Sequence, residues 1–174
     1  MFRQVDQYGA IKGCTVYDVV DGVVADAPCT IDAEVTLPQI VHPTYTMQCM
    51  GDMDIADQTR INAMTTGINC ELSVIHSRLL GKGIKSYVIR WAQEVKRDNG
   101  TFELVPFVAY ISGIPREDVS ATVRPGESTT GTVNVDTMKY RLVENGAEIR
   151  YVDRLAGILK INGVDYRAEI NAML

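Results

Sequence analysis

Two cysteine–histidine pairs define what nucleophilic chemistry this chain could attempt. His42 precedes Cys49 and Cys70 precedes His76, and an imidazole beside a thiol is how a thiolate nucleophile is made. The spacing argues against it. On a helix, positions 70 and 76 point to different sides, and both pairs read more simply as buried thiols with surface or interface histidines. Asp52, Asp54 and Asp57 offer oxygen ligands for a hard cation, but they do not follow the spacing of a calcium loop; they read as a solvated acidic edge. The stretch Gly126-Glu-Ser-Thr-Thr-Gly131 lacks the Gly-x-Ser-x-Gly spacing of a nucleophile elbow, and Gly81-Lys-Gly83 is too short for a phosphate loop. Arg116-Glu-Asp118 and Asp153-Arg154 read as surface charge, and Trp91, inside a strand pattern, as core. These residues predict a non-enzyme with no catalytic side chain, no metal and no cofactor.

Composition narrows the class further. A chain of 174 residues, 46% hydrophobic and 22% charged, fits a single domain spanning 1–174 with enough apolar surface to bury a core. Its formal charge is −5, which suits a surface that phosphate slides past better than one that grips it. Cys14, Cys29, Cys49 and Cys70 contain no CxxC pair. The start, Met1-Phe-Arg-Gln-Val-Asp6, has no apolar core of an export signal. The expectation is reduced core or interface thiols, made in a cytoplasm. No apolar run reaches the ~20 residues of a membrane span.

The elements that would position these residues are mostly strands. Residues 14–17 and 22–25 flank an Asp21-Gly22 turn signal. In residues 30–37, Ile31, Ala33, Val35 and Leu37 share one face and Asp32, Glu34 and Thr36 the other, the alternation of a half-buried strand that Pro38 ends. Residues 39–57 lose that regularity and carry Tyr45, Met47, Met50 and Met53; so long a segment is expected to be an extended arm or a working loop. Ile61, Ala63 and Thr65 alternate as in another strand. Asn69 then stands as a cap for one helix over about 70–80, with Leu72, Ile75, Leu79 and Leu80 as its stripe. Two hairpins follow, across Arg97-Asp-Asn-Gly100 and Glu144-Asn-Gly146, with Pro106 favouring an edge or bulge. The predicted fold is mainly β with one α-helix, a small antiparallel barrel or sandwich bearing an extended arm.

Three motifs in this order carry a likeness. Val35-Thr-Leu-Pro38 leads into the long segment, Arg97-Asp-Asn-Gly100 forms a basic-acidic turn, and Arg154-Leu-Ala-Gly-Ile-Leu-Lys-Ile-Asn-Gly-Val-Asp165 closes the chain behind the last hairpin. Together they resemble the major tail tube proteins of contractile-tailed bacteriophages and phage-tail-like bacteriocins. The resemblance implies a structural protein that forms hexameric rings, stacked as the inner tube of a contractile tail or tail-like particle, a conduit for DNA or ions. It further implies self-association, contacts with tail sheath, baseplate and tape-measure proteins, and DNA only as transient lumen cargo. Subunit contacts are then expected at Pro38, Tyr45, Met47, Met50, Met53, Asn162 and Gly163, and a negative lumen from Asp32, Glu34, Asp52, Asp54 and Asp136. The other readings are a ring protein of a type VI-like secretion system, a head–tail connector, and a soluble β-barrel that binds a small ligand.

Overall fold

The computed structural model describes residues 7–24, 34–48, 51–119, 121 and 123–174. In chain order these form β1 (Gln7–Val20), β2 (Val23–Val24), β3 (Glu34–Thr36), β4 (Thr44–Gln48), β5 (Asp52–Ala56), β6 (Met64–Glu71) and α1 (Leu72–Val74), which runs into a π-helical turn over Ile75–Leu79. Then come β7 (Lys85–Lys96), β8 (Phe102–Pro115), β9 (Thr130–Glu144), β10 (Ala147–Asp153), β11 (Ile158–Ile161), β12 (Val164–Asp165) and α2 (Ala168–Met173). Ten strands form one antiparallel sheet in the order β12-β11-β10-β9-β8-β7-β1-β2, with β6 added on β9 and β3 on β6. The fold is mainly β, as the alternation predicts, and the sheet is sandwich-like rather than a closed barrel. Residues 30–33 of the predicted early strand lie outside the described residues; in β3 itself Val35 is half-buried between exposed Glu34 and Thr36.

Turn chemistry sets the register. Asp21-Gly22, Asn145-Gly146 and Asn162-Gly163 all have both residues at positive φ, the mirror-image turn whose twist matches that of paired strands. Pro106 is tolerated in β8 because the β8–β9 ladder begins only at Phe107, opposite Glu144. The Pro106 carbonyl accepts from the Asn145 N–H at 2.9 Å, so its missing N–H faces the end of that ladder, as edge placement requires.

The sheet branches at β9. One edge of β9 meets β8, while the other meets β6 up to Thr137 and β10 from Lys139 onward. Met138 is the extra residue of a bulge, since Ser112 pairs with Lys139 but Gly113 with Thr137. The bulge switches the inward positions from Val133, Val135 and Thr137 to Tyr140, and bulges bend and twist a strand. Opposite it, a Cβ on Gly113 would overlap the Asp136 carbonyl oxygen, so glycine is required there. The two arms of the branch close over one core in which Val16, Ile68, Ala109, Val133, Val135 and Val152 are fully buried. A polar pair within it is well made: the buried Thr66 and Thr137 hydroxyls lie 2.6 Å apart.

Three local expectations are corrected. The inward face of β6 is Met64, Thr66, Ile68 and Cys70, the opposite phase from Ile61, Ala63 and Thr65, because register follows the partner strand and not the isolated pattern. Pairing with β9 also carries β6 through Asn69 to Glu71. Asn69 is therefore a strand residue, the helical segment is residues 72–79, and its N-cap Glu71 makes no side-chain cap bond. That segment is fastened from β7: the Tyr87 hydroxyl donates to the Leu79 carbonyl at 2.6 Å, and the Lys85 ammonium donates to the carbonyls of Arg78 and Leu80 at 2.6 and 2.8 Å, filling acceptors a helix end leaves open. Burial, then the nearby Asp18 charge, pushes the Tyr87 phenol up. The third correction concerns sulfur. Cys14 is free, with its thiol pushed up by burial, whereas Cys70 is disulfide-bonded. The lack of an export signal says nothing about which sulfurs a fold brings within bonding distance. Cys29 and Cys49 lie outside the described residues.

Candidate assembly surfaces

Residues 39–57 hold a hairpin of their own. Strands β4 and β5 pair only with each other, Tyr45 opposite Ile55 and Met47 opposite Met53. Since neighbouring strand residues face opposite ways, Tyr45, Met47, Met53 and Ile55 form one apolar face. Thr44, Thr46, Gln48, Asp52 and Asp54 form the other, where the Thr46 hydroxyl donates to Asp54 at 2.7 Å. The apolar face is open: Tyr45 is 49%, Met47 41% and Met53 52% exposed. The ribbon continues into its base, where the Asp57 N–H donates to the Pro43 carbonyl and the Asn62 N–H to the Val41 carbonyl, each at 2.8 Å. There the Thr59 hydroxyl donates to Asp57 at 2.6 Å. This bond, more than its backbone N–H or the Arg60 and His42 charges, lowers the Asp57 carboxyl. Met50 and Asp32 lie outside the described residues.

The second surface is a sheet edge. Strand β1 pairs with β7 along its length and with β2 only at Val19 and Val20. Among the described residues no strand pairs its other side from Gln7 to Asp18, and Tyr8 and Ile11 are exposed on it. An open edge of that length is a template for another chain. Sequence reasoning passed over it because edge and centre strands share one alternation.

The remaining site residues distribute unevenly. Pro38 is buried and, with Asn162, lines a half-apolar groove of about 670 Å³ between the β3 exit and the sheet. Asn162 and Gly163 form an exposed turn at φ 49° and 81°. Glu34 and Asp136 sit opposite Asn69 and Thr65 of β6, hence on one outer face of the sheet. Asp136 is held by Arg116 at 2.7 Å, and this bond raises the guanidinium. Asp52 and Asp54 stand apart on the hairpin. Asp153, read from sequence as surface charge, is 3% exposed. It binds the Lys139 ammonium at 2.9 Å and accepts the Leu155 and Ala156 N–H groups at 3.0 Å each. Burial works against its charge, but these partners outweigh it and hold the carboxyl low. Together they pin the turn that opens the C-terminal block. Among the described residues no helix is long and apolar enough to cross a membrane.

The chain is 31% identical over 93 residues to the tail tube protein of Escherichia phage P2, an alignment covering 53% of this chain and 54% of that protein. The match thus spans about half the length of that curated relative. The family model described as phage tail tube protein FII matches residues 11–174, which takes in every strand from within β1 to β12 and α2 behind them. The chain belongs to the phage tail tube protein FII family.

Proposed function

We propose that copies of this chain join edge to edge into hexameric rings, and that the rings stack into the inner tube of a contractile tail, a conduit for DNA or ions. The observation that carries the reading is the β4–β5 hairpin, an apolar ribbon face left in solvent. A two-stranded hairpin alone is at best marginally stable in water, so a face of this kind is completed by packing on a neighbour. Tyr45, Met47 and Met53 are the contact residues there, with Met50 added by its place in the sequence between them. The β1 edge supports ring closure, because a heterologous contact that closes makes a ring and removes the open edge. Pro38, Asn162 and Gly163 line or border the groove such a neighbour meets. Glu34, together with Asp32 by its place in the same alternation, supplies lumen charge; Asp136 contributes less because Arg116 offsets it. Sheath, baseplate and tape-measure proteins are the further partners of a tube in this position.

The test is electron microscopy and sedimentation of the purified chain. Rings or tubes are expected from the wild type. A variant with residues 44–56 replaced by a two-residue turn is expected to melt like the wild type and to form none. A wild type that stays monomeric at high concentration refutes the reading.

A further inference from the structure

A cleft of about 240 Å³ opens where the base of the hairpin meets the C-terminal block, and Arg60, Arg154 and Arg167 line it. The carboxylate on its wall, Asp153, is 4% exposed in its side chain and already engaged with Lys139, Leu155 and Ala156. Among the described residues no side-chain hydrogen bond or ion pair neutralises the three guanidinium groups. Asp57 lies close enough to Arg60 for their charges to interact, but its oxygen serves Thr59. Arg167 lies against Gly157, and its Nε is buried without an acceptor. The buried Arg167 Nε is costly to leave without an acceptor, and with the exposed Arg60 and Arg154 at the rim the three guanidinium groups suit a planar oxyanion.

The chain carries the complementary group at the far end of the same ribbon. Asp52 and Asp54 stand on the polar face of the hairpin, and no lysine or arginine occurs between Thr44 and Thr59. Strands rise ~3.3 Å per residue, so Asp54 and Asp52 stand roughly 10 and 17 Å along the ribbon from the Asp57–Pro43 bond at its base, and among the described residues neither pairs with an arginine of its own copy's cleft. A donor at one end of an element and an acceptor at the other make a head-to-tail contact, which repeats without closing and grows a filament. We propose that the cleft of Arg60, Arg154 and Arg167 receives Asp52 and Asp54 from the hairpin of a second copy. This rests on the stacked-tube reading and names the joint between successive rings. The ribbon's two faces then serve two contacts, the acidic one in the arginine cleft and the apolar one on an adjoining surface.

Charge exchange tests it. The double variants D52K/D54K and R60E/R154E, and the quadruple variant combining them, are compared with wild type by sedimentation and electron microscopy at low and high salt. Thermal melting of each as a monomer fraction checks folding, with R60Q/R154Q as a milder substitute. Each double reversal is expected to lower the polymerised fraction about tenfold or more, because a truncated or reversed charge pair leaves its partner buried unpaired. The quadruple variant is expected to recover most of it. Wild-type assembly by D52K/D54K, or a quadruple variant no better than the worse double, overturns the proposal. If only the arginine variants fail, and inorganic phosphate at millimolar concentration raises the wild-type melting temperature but not theirs, the cleft takes a phosphate and the hairpin assignment is wrong. A wild type that forms no tubes at all refutes the tube reading instead.

Discussion

The β6–β9 ladder and the β4–β5 hairpin are built to one rule and end in opposite surroundings. In β6, Met64, Thr66, Ile68 and Cys70 face inward and are buried; in the hairpin, Tyr45, Met47, Met53 and Ile55 share a face, and the first three are 41–52% exposed. Both are antiparallel ribbons with methionine on the apolar side. The difference lies in what the face meets. β6 has β9 beside it and the Ile75–Leu79 turn packed into the same core, while among the described residues β4 and β5 pair with no strand but each other. Burial in the first stabilises the subunit, while the equivalent apolar surface of the second stays about half exposed.

That contrast is most easily broken in the core. Ile68→Ala, at a fully buried position, is expected to cost about 3 kcal/mol, read as a lower midpoint in urea or heat. Gly113→Ala belongs beside it. Its methyl group would collide with backbone at the β9 bulge, and a rigid overpacked site costs ~2 kcal/mol. Normal stability in either variant means that the branch at Met138 is looser than the register implies.

A smaller loss is expected at Asp153. Asp153→Ala removes the acceptor of the Lys139 ammonium and of two N–H groups, an expected cost of about 2 kcal/mol. Its folded pKa is depressed, so the contribution is complete above the unfolded carboxyl value of ~3.9 and is lost as pH falls through the folded one. Stability of the wild type is expected to decline more steeply below pH ~4 than that of Asp153→Asn. Equal acid limbs mean that the carboxylate is not the anchor of the C-terminal turn.

The same contrast marks how far the sequence could be read. Period-2 alternation and Asn-Gly or Asp-Gly pairs located the hairpins around Gly22, Gly100 and Gly146 because those signals are local. The phase of β6 is not legible locally, because Ile61 and Ala63 precede the strand and the inward face is chosen by β9. The helix boundary moved for the same reason: Asn69 and Cys70 fit a cap and first turn locally, but ladder partners Thr132 and Gly131 hold them in β6. Asp153 and Arg154 looked alike as neighbouring surface charges. Only the branch of the sheet buries the first and turns the second into a cleft. The six residues of α2 carry too little periodicity to mark a helix.

At the Asn162-Gly163 turn the expected effect is smaller again. Gly163 has φ 81° and open space around a would-be Cβ, so Gly163→Val suffers backbone strain alone, about 1 kcal/mol. A larger loss would mean that the β11–β12 turn packs on something within the subunit.

The least effect on the subunit is expected where the effect on assembly is greatest. Tyr45→Ser with Met53→Ser removes apolar surface that is half exposed, and such substitutions shift stability by ~0.5 kcal/mol or less. The Thr46–Asp54 hydrogen bond and the base contacts at Pro43 and Val41 stay in place, so the hairpin keeps its backbone. If its apolar face is completed by a neighbour, the two lost side chains come from the centre of that contact, where aromatic anchors carry most of the energy. Melting is then expected to match the wild type while tubes disappear. Loss of stability together with assembly would place the face against its own subunit, and the hairpin would be one more ladder like β6–β9. Unchanged stability with unchanged tubes would make the β1 edge, and not the hairpin, the surface on which copies meet.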